Sequence, residues 1–231
     1  MDDLSLGMIW YPVFLLSTTL HEAAHAYAAM LGGDLTGYHE GQVTLDPRPH
    51  IKREPFGMVL VPLFTFVTGG WMLGWASVPF DTRWADRFPH RAGWMSLAGP
   101  AANLFLVLVA GIGIHLGMTF DLFIRPESID FSTVTSAVRG EYGFLAYGLS
   151  ILFSLNLILF VFNLLPFPPL DGSGVILLFM KEETARKVQQ MMHQPMLALG
   201  GFLIAWHFFG EIYGPFWTTA LNVLYPGSGY H

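Results

Sequence analysis

Thr19-Leu20-His21-Glu22-Ala23-Ala24-His25-Ala26-Tyr27 is a His-Glu-x-x-His motif placed at the end of an apolar run, residues 6–20. Residues four apart on an α-helix lie nearly one above the other, so His21 and His25 can aim both imidazoles at one metal ion. Glu22 sits about 100° round the helix from His21. Two neutral imidazoles beside a carboxylate able to take a proton from water make the donor set of a hydrolytic zinc site. With nine His in 231 residues, random placement gives about 0.01 such motifs. The bland alternative is a pair of surface histidines on an amphipathic helix. The run before them is nearly all apolar, however, and polar groups at the end of such a helix are costly without a partner.

The composition sets the environment of that helix. Mean hydropathy is +0.48 and 53% of residues are hydrophobic, while only 12% are charged, half the share of a soluble domain. The chain therefore reads as an all-α polytopic membrane protein, embedded in a lipid bilayer. Its length suits about four spanning helices with short loops, forming a single domain over residues 1–231 with the core motifs within 20–180. No cysteine is present, so any metal is held by His, Asp, Glu or carbonyl oxygen. The net charge of -6 and the lack of a basic cluster give no sign of nucleic acid as a partner. Met1-Asp2-Asp3 is acidic and lacks the positive start of a signal peptide, so the first apolar segment is expected to be retained.

Four spans are expected, at residues 4–31, 93–118, 143–165 and 195–213. The first would make a helix of roughly 42 Å, and its motif is recessed about 9 Å from the end. Residues 57–80 are hydrophobic but broken by Pro62, Gly69-Gly70, Gly74 and Pro79, which suits a re-entrant or interfacial segment. Gln42-Val43-Thr44-Leu45 alternates like a short strand in a cytoplasmic-side loop. Residues 173–180 read as a short apolar helix and 181–194 as a charged amphipathic piece. The tail 214–231, with Pro215, Pro226, Gly227 and Gly229, is expected to be irregular. Trp71, Trp75, Trp84 and Trp94 read as interfacial anchors, and His207 is a candidate gate residue.

Arg48, Lys52, Arg53, Arg83, Arg87, Arg91, Lys181, Arg186 and Lys187 follow the first span, precede the second or follow the third; only Arg125 and Arg139 fall elsewhere. The positive-inside rule then puts the N-terminus outside and those nine cations in the cytoplasm. On that map His21 to His25, Asn103, Asn163 and Asp171 converge at similar depth near the inner face.

A catalytic zinc usually takes three protein ligands, and Asp171 is the candidate for the third. It stands between apolar neighbours, where an unpaired carboxylate is costly. An N-cap of the following helix is the competing role, and both can hold at once. Asn103 has an amide suited to a developing oxyanion or to substrate backbone, though an interhelical hydrogen bond fits as well. Pro166, Pro168 and Pro169 break the helix and free backbone groups that could pair with an extended substrate.

Three stretches in this order resemble the site-2 proteases, intramembrane zinc metalloproteases. They are His21-Glu22-Ala23-Ala24-His25, Ala98-Gly99-Pro100-Ala101-Ala102-Asn103, and Asn163-Leu164-Leu165-Pro166-Phe167-Pro168-Pro169-Leu170-Asp171-Gly172. Gly41-Gln42-Val43-Thr44-Leu45-Asp46-Pro47, His50-Ile51 and Gly74-Trp75-Ala76 are similar to the compact prokaryotic branch, which lacks PDZ and nucleotide-sensing domains. The resemblance covers residues 20–180. Where that branch commonly continues with Lys-Pro, this chain has Ser77-Val78. It implies Zn2+ held by His21, His25 and Asp171, Glu22 as the base, and cleft roles for Asn103, Asn163 and Pro166. It also implies transmembrane proteins as substrates and a bacterial or archaeal cytoplasmic membrane. A non-catalytic binding protein on the same fold and a metal transporter are the competing functions. The second would need polar residues reaching the outer face, where residues 4–20 offer only Ser5, Tyr11, Ser17, Thr18 and Thr19.

Overall fold

A computed structural model describes residues 3–230. Four of its helices are long and apolar enough to cross a membrane: α1 (Asp3–Gly32), α6 (Pro89–Thr119), α7 (Gly143–Asn163) and α10 (Pro195–Leu224). Shorter helices at one end of the bundle are α2 (Thr36–His39), α3 (Pro47–Arg53), α5 (Thr82–Arg87), α8 (Asp171–Val175) and α9 (Glu182–Met192). Helix α4 (Val61–Gly69) follows a π-helical turn, Phe56–Leu60. At the opposite end a two-stranded antiparallel sheet pairs β1 (Phe123–Ile124) with β2 (Ser136–Ala137).

Helices α1, α6 and α7 pack on one another to form the centre. On α1, Ile9, Trp10 and Phe14 are buried against Ile151 and Leu155 of α7. One turn further along, the buried face of α1 becomes polar: Ser17, Thr18, Thr19, His21, Glu22 and His25 are all under 8% exposed. A polar stripe is tolerated inside an apolar bundle when neighbouring helices supply partners. Helix α10 packs on the end of α7, where Tyr213, Leu221 and Leu224 join Phe153, Leu157 and Val161.

The end of α1 is tightly tied. Gly33, at φ 99°, donates to Met30 O and Asp34 N–H to Ala29 O, the paired bonds of a Schellman cap. Trp84 Nε1 and Arg91 Nη1 both donate to Gly32 O, joining α5 and α6 to that end. Asp34 accepts from Thr36 N–H, the Thr36 hydroxyl and Asp81 N–H. Burial would raise its pKa, but these three bonds outweigh it and hold the carboxyl below its usual range.

Residues 57–80 run out and back as expected. The helix α4 stops at Gly70, left-handed at φ 77°, and the chain returns without helix from residue 71 to Asp81. The returning segment crosses the π turn so closely that Trp75 N–H donates to Gly57 O, and a Cβ on Gly57 would overlap the Trp75 carbonyl.

Three local expectations differ from the structure. Residues 42–45 form no strand: at its two ends Gln42 N–H is taken by Gly37 O and Asp46 N–H by Thr44 Oγ1, and Asp46 caps α3. The residues from Gly214 to Leu224 are helical, because α10 continues through Pro215 with Leu221 and Leu224 buried in the core. Packing there outweighs the one backbone bond the proline removes. Of the four tryptophans, Trp94 and Trp75 are broadly exposed, at 63% and 52%; Trp84 is buried, and Trp71 and Trp75 line the cavity described next. His231, the last histidine, lies outside the described residues.

Candidate metal centre

The i, i+4 spacing on α1 stacks the rings of His21 and His25 edge to face, with centroids 4.5 Å apart. Their Nε2 atoms are 2.9 Å from each other. Asp171, at the first position of α8, brings Oδ2 to 3.2 Å from His21 Nε2 and Oδ1 to 3.3 Å from His25 Nε2. The N-cap position of α8 is Leu170, and the Asp171 carboxylate makes no capping bond. It is turned to the histidines instead.

The remaining ring nitrogens define the tautomers. His25 Nδ1–H donates to the Met95 carbonyl at 2.7 Å, and His21 Nδ1–H donates to Asn103 Oδ1 at 2.5 Å. Both Nε2 atoms then carry lone pairs, aimed at each other and at a carboxylate. Four electron-rich atoms this close, the two Nε2 and the two carboxylate oxygens, repel unless a metal ion or a proton lies among them. A tetrahedral zinc with ligand distances of about 2.0–2.1 Å holds its ligand atoms about 3.3 Å apart, close to the 3.2 and 3.3 Å between the imidazoles and the Asp171 oxygens and a little wider than the 2.9 Å between the two imidazoles. The set fits zinc, and among the described residues it is the one group able to hold a metal.

Helix α6 supplies the floor. Gly99 faces the histidine pair so closely that a Cβ there would overlap His25 Nε2 and stand 2.6 Å from His21 Nε2. Gly93 and Gly174 similarly let α6 and α8 approach, which sets the reach of Asp171.

Beside the three ligand atoms opens a cavity of about 630 Å³. His21 and Glu22 line it, and Glu22 is the only acidic residue of the lining among the described residues. One wall is the non-helical run from Leu73 to Ser77; another is α10, through Phe202, Trp206, Phe209 and Tyr213. Asn163 and Leu170 also line it, beside Pro169. Asn163 lends one amide hydrogen to Leu159 O in its own helix.

Pro166 is exposed and lies outside the cavity lining, in which Pro169 is the loop proline. Asn103 is fully buried behind His21, away from the cavity. His207 is exposed on α10 against Phe208, while its neighbour Trp206 faces the cavity. Asn156 and Ser17, both at 0% exposure, were not legible from spacing; the signal available was a polar residue alone in each apolar run.

A helical apolar bundle with a His-His-Asp metal centre and a carboxylate in the adjoining cavity defines a membrane-embedded zinc hydrolase. Comparison with known proteins agrees. The chain is 35% identical over 179 residues to "Putative zinc metalloprotease YwhC" of Bacillus subtilis strain 168, spanning 73% of this chain and 71% of that one. It is 30% identical over 205 residues to "Putative zinc metalloprotease Rip2" of Mycobacterium tuberculosis strain Erdman, 87% of this chain and 70% of that one. The protein of that name from Mycolicibacterium smegmatis is 30% identical over 173 residues, 75% of this chain and 58% of its own length. No protein-family model matches the chain, and no solved structure matches it. The chain belongs to the site-2 protease family of zinc metalloproteases, and its His21, His25 and Asp171 form a group that could hold the metal.

Proposed function

We propose that this chain is an intramembrane zinc metalloendopeptidase of the site-2 type, a single membrane domain that cuts peptide bonds in or near transmembrane segments of other membrane proteins. The observation that carries the reading is the position of Glu22, buried beside the three-atom metal centre and facing a largely apolar cavity. His21, His25 and Asp171 hold the ion. When bound, zinc supplies Lewis-acid polarisation of the scissile carbonyl and makes water a nucleophile near neutral pH. Glu22 takes the proton of the attacking water and delivers it to the leaving amine, so that no charged amide nitrogen has to depart. Asn163 and the loop ending at Asp171 bind the substrate backbone, with Pro166 stiffening that loop. A helical peptide has its carbonyls shielded, so a substrate must unwind to enter. The aromatic wall of α10 receives its apolar side chains.

The orientation follows from charge. Arg48, Lys52, Arg53, Arg83, Arg87 and Arg91 surround the end of α1 and the start of α6, near α9 with its Lys181, Arg186 and Lys187. These face the cytoplasm, the N-terminus lies outside, and the centre opens inward, in a bacterial or archaeal cytoplasmic membrane.

The test is zinc content together with cleavage of a membrane-inserted peptide in detergent. One zinc per chain in the wild type, kept without activity in Glu22→Gln and lost in Asp171→Ala, is the expected pattern. Zinc and activity surviving Asp171→Ala would remove the third ligand from the proposal. A wild type that takes up no metal would overturn the protease reading.

A further inference from the structure

Behind His21 runs a chain of buried hydrogen bonds that ends on two backbone carbonyls. His21 Nδ1–H donates to Asn103 Oδ1, and Asn103 Nδ2 donates to Asn156 Oδ1 at 2.8 Å. Asn156 Nδ2 donates to Leu152 O at 2.8 Å and to Ser17 Oγ at 2.9 Å. The Ser17 hydroxyl in turn donates to Val13 O at 2.7 Å. Ser17, Asn103 and Asn156 are each 0% exposed and come from α1, α6 and α7. The chain thus stitches the three central helices together at the metal centre.

Its polarity is not arbitrary. A carbonyl oxygen can only accept, so the Asn156 group facing Leu152 O must be the amide nitrogen. Ser17 spends its only hydrogen on Val13 O and can only accept from the same nitrogen. Asn156 Oδ1 is therefore the atom turned to Asn103, which forces the Asn103 nitrogen toward it and the Asn103 oxygen toward His21. An oxygen at that place admits only the Nδ1–H form of neutral His21. Nε2 is then left with its lone pair toward the ion. If Asn103 turned over, its nitrogen would face Nδ1, and His21 would carry its proton on Nε2, the atom that must bind metal.

We infer that Asn156 is a positioning residue of the metal centre: anchored on Leu152 O and Ser17, it acts through Asn103 to hold His21 in the metal-binding tautomer. The inference rests on the proposed ligand role of His21. Neither Asn156 nor Ser17 belongs to the His21, His25 and Asp171 group or lines the cavity. Outer partners of metal-bound histidines typically contribute 10–100-fold in affinity.

The experiment removes the anchor and then bypasses it. Asn156→Leu keeps the volume but frees Asn103 to turn over, and zinc affinity, measured in detergent by chelator competition, is expected to fall by about 10–100-fold. Asn103→Asp on that background presents an oxygen to His21 in either orientation and is expected to restore affinity. Asn156→Asp, neutral when protonated in this apolar place, can still accept from Asn103 and donate to Leu152 O, and is expected to bind zinc nearly as the wild type does. It also serves as the folded control should Asn156→Leu fail to assemble. In the metal-free protein, NMR of isotope-labelled histidine reads the tautomer directly: Nδ1–H for His21 in the wild type, and a mixture in Asn156→Leu.

Unchanged affinity in Asn156→Leu, or a loss that Asn103→Asp does not repair, would reduce Asn156 to a packing residue and overturn the inference. Weak binding in Asn156→Asp equal to that of Asn156→Leu would do the same. If the wild type takes no zinc, the ligand reading itself fails, whereas the tautomer ratio of His21 still decides what Asn156 does.

Discussion

Gly99 on α6 stands directly against Nε2 of His25 on α1, leaving no room for even a methyl group between backbone and ring. The same absent side chain would lie 2.6 Å from His21 Nε2. The helix backbone is thus one wall of the metal centre, and the ligand rings are pressed between it and Asp171.

Gly99→Ala is accordingly expected to displace both imidazoles and abolish zinc binding. Overpacking of a core contact costs about 1–3 kcal/mol, so the metal-free variant should fold with a lowered Tm. Zinc content after metal-free purification, with circular dichroism as the fold control, checks this. Wild-type zinc content would mean that α1 and α6 can part without loss.

Gly57→Ala tests the opposite side of the cavity. A Cβ at Gly57 overlaps the Trp75 carbonyl and must push away the returning segment that carries Leu73 to Ser77. None of His21, His25 and Asp171 is on that segment. Zinc binding should be unchanged while KM for a membrane-inserted peptide rises, on the order of 10-fold for a misplaced substrate wall. Parallel loss of zinc would show that the segment also supports the centre.

The parts of this site that could be read from sequence are those written into local spacing. His21 and His25 are placed by helix periodicity alone, and Asp171 stands out as a carboxylate among apolar neighbours. The four spans follow from hydropathy, and the reversal in residues 57–80 from its glycines and prolines. Asn156 was invisible because a lone amide in an apolar run has several equivalent uses. Asn163, seven residues on, bonds within its own helix, while Asn156 joins residues 53 and 139 positions away. The same long-range packing carries α10 past Pro215, and the local bonds of Gln42 and Asp46 N–H bend residues 42–45 away from a strand. Asn103 shows the limit from the other side. Its motif marked it for the site, yet only the packing of α6 on α1 puts it behind the histidine instead of in the cavity.

Asp34 gives a dependence on pH away from the metal centre. Its folded pKa is depressed, so its contribution is complete above the unfolded value of about 3.9 and is lost as pH falls through the lower folded value. Asp34→Ala leaves the Thr36 and Asp81 amides without their partner, at a cost of about 1–3 kcal/mol. Thermal unfolding in detergent should show the wild type and Asp34→Ala farthest apart near neutral pH. The gap should narrow as pH drops below about 4. A gap that is constant with pH would mean that the carboxylate charge is not what holds the end of α1.

The orientation can be checked without any substrate, because the chain has no cysteine to confuse labelling. Ser128 lies in the exposed connection between α6 and α7, and Thr184 is exposed on α9, at the opposite end of the bundle. In intact cells Ser128→Cys is expected to react with a membrane-impermeant thiol reagent, and Thr184→Cys only after the membrane is opened. Nine of eleven cations at the α9 end would each favour that side, by an energy that acts during insertion and is read from short loops. The reverse labelling pattern would turn the protein over, with Glu22 and the metal centre opening away from the cytoplasm.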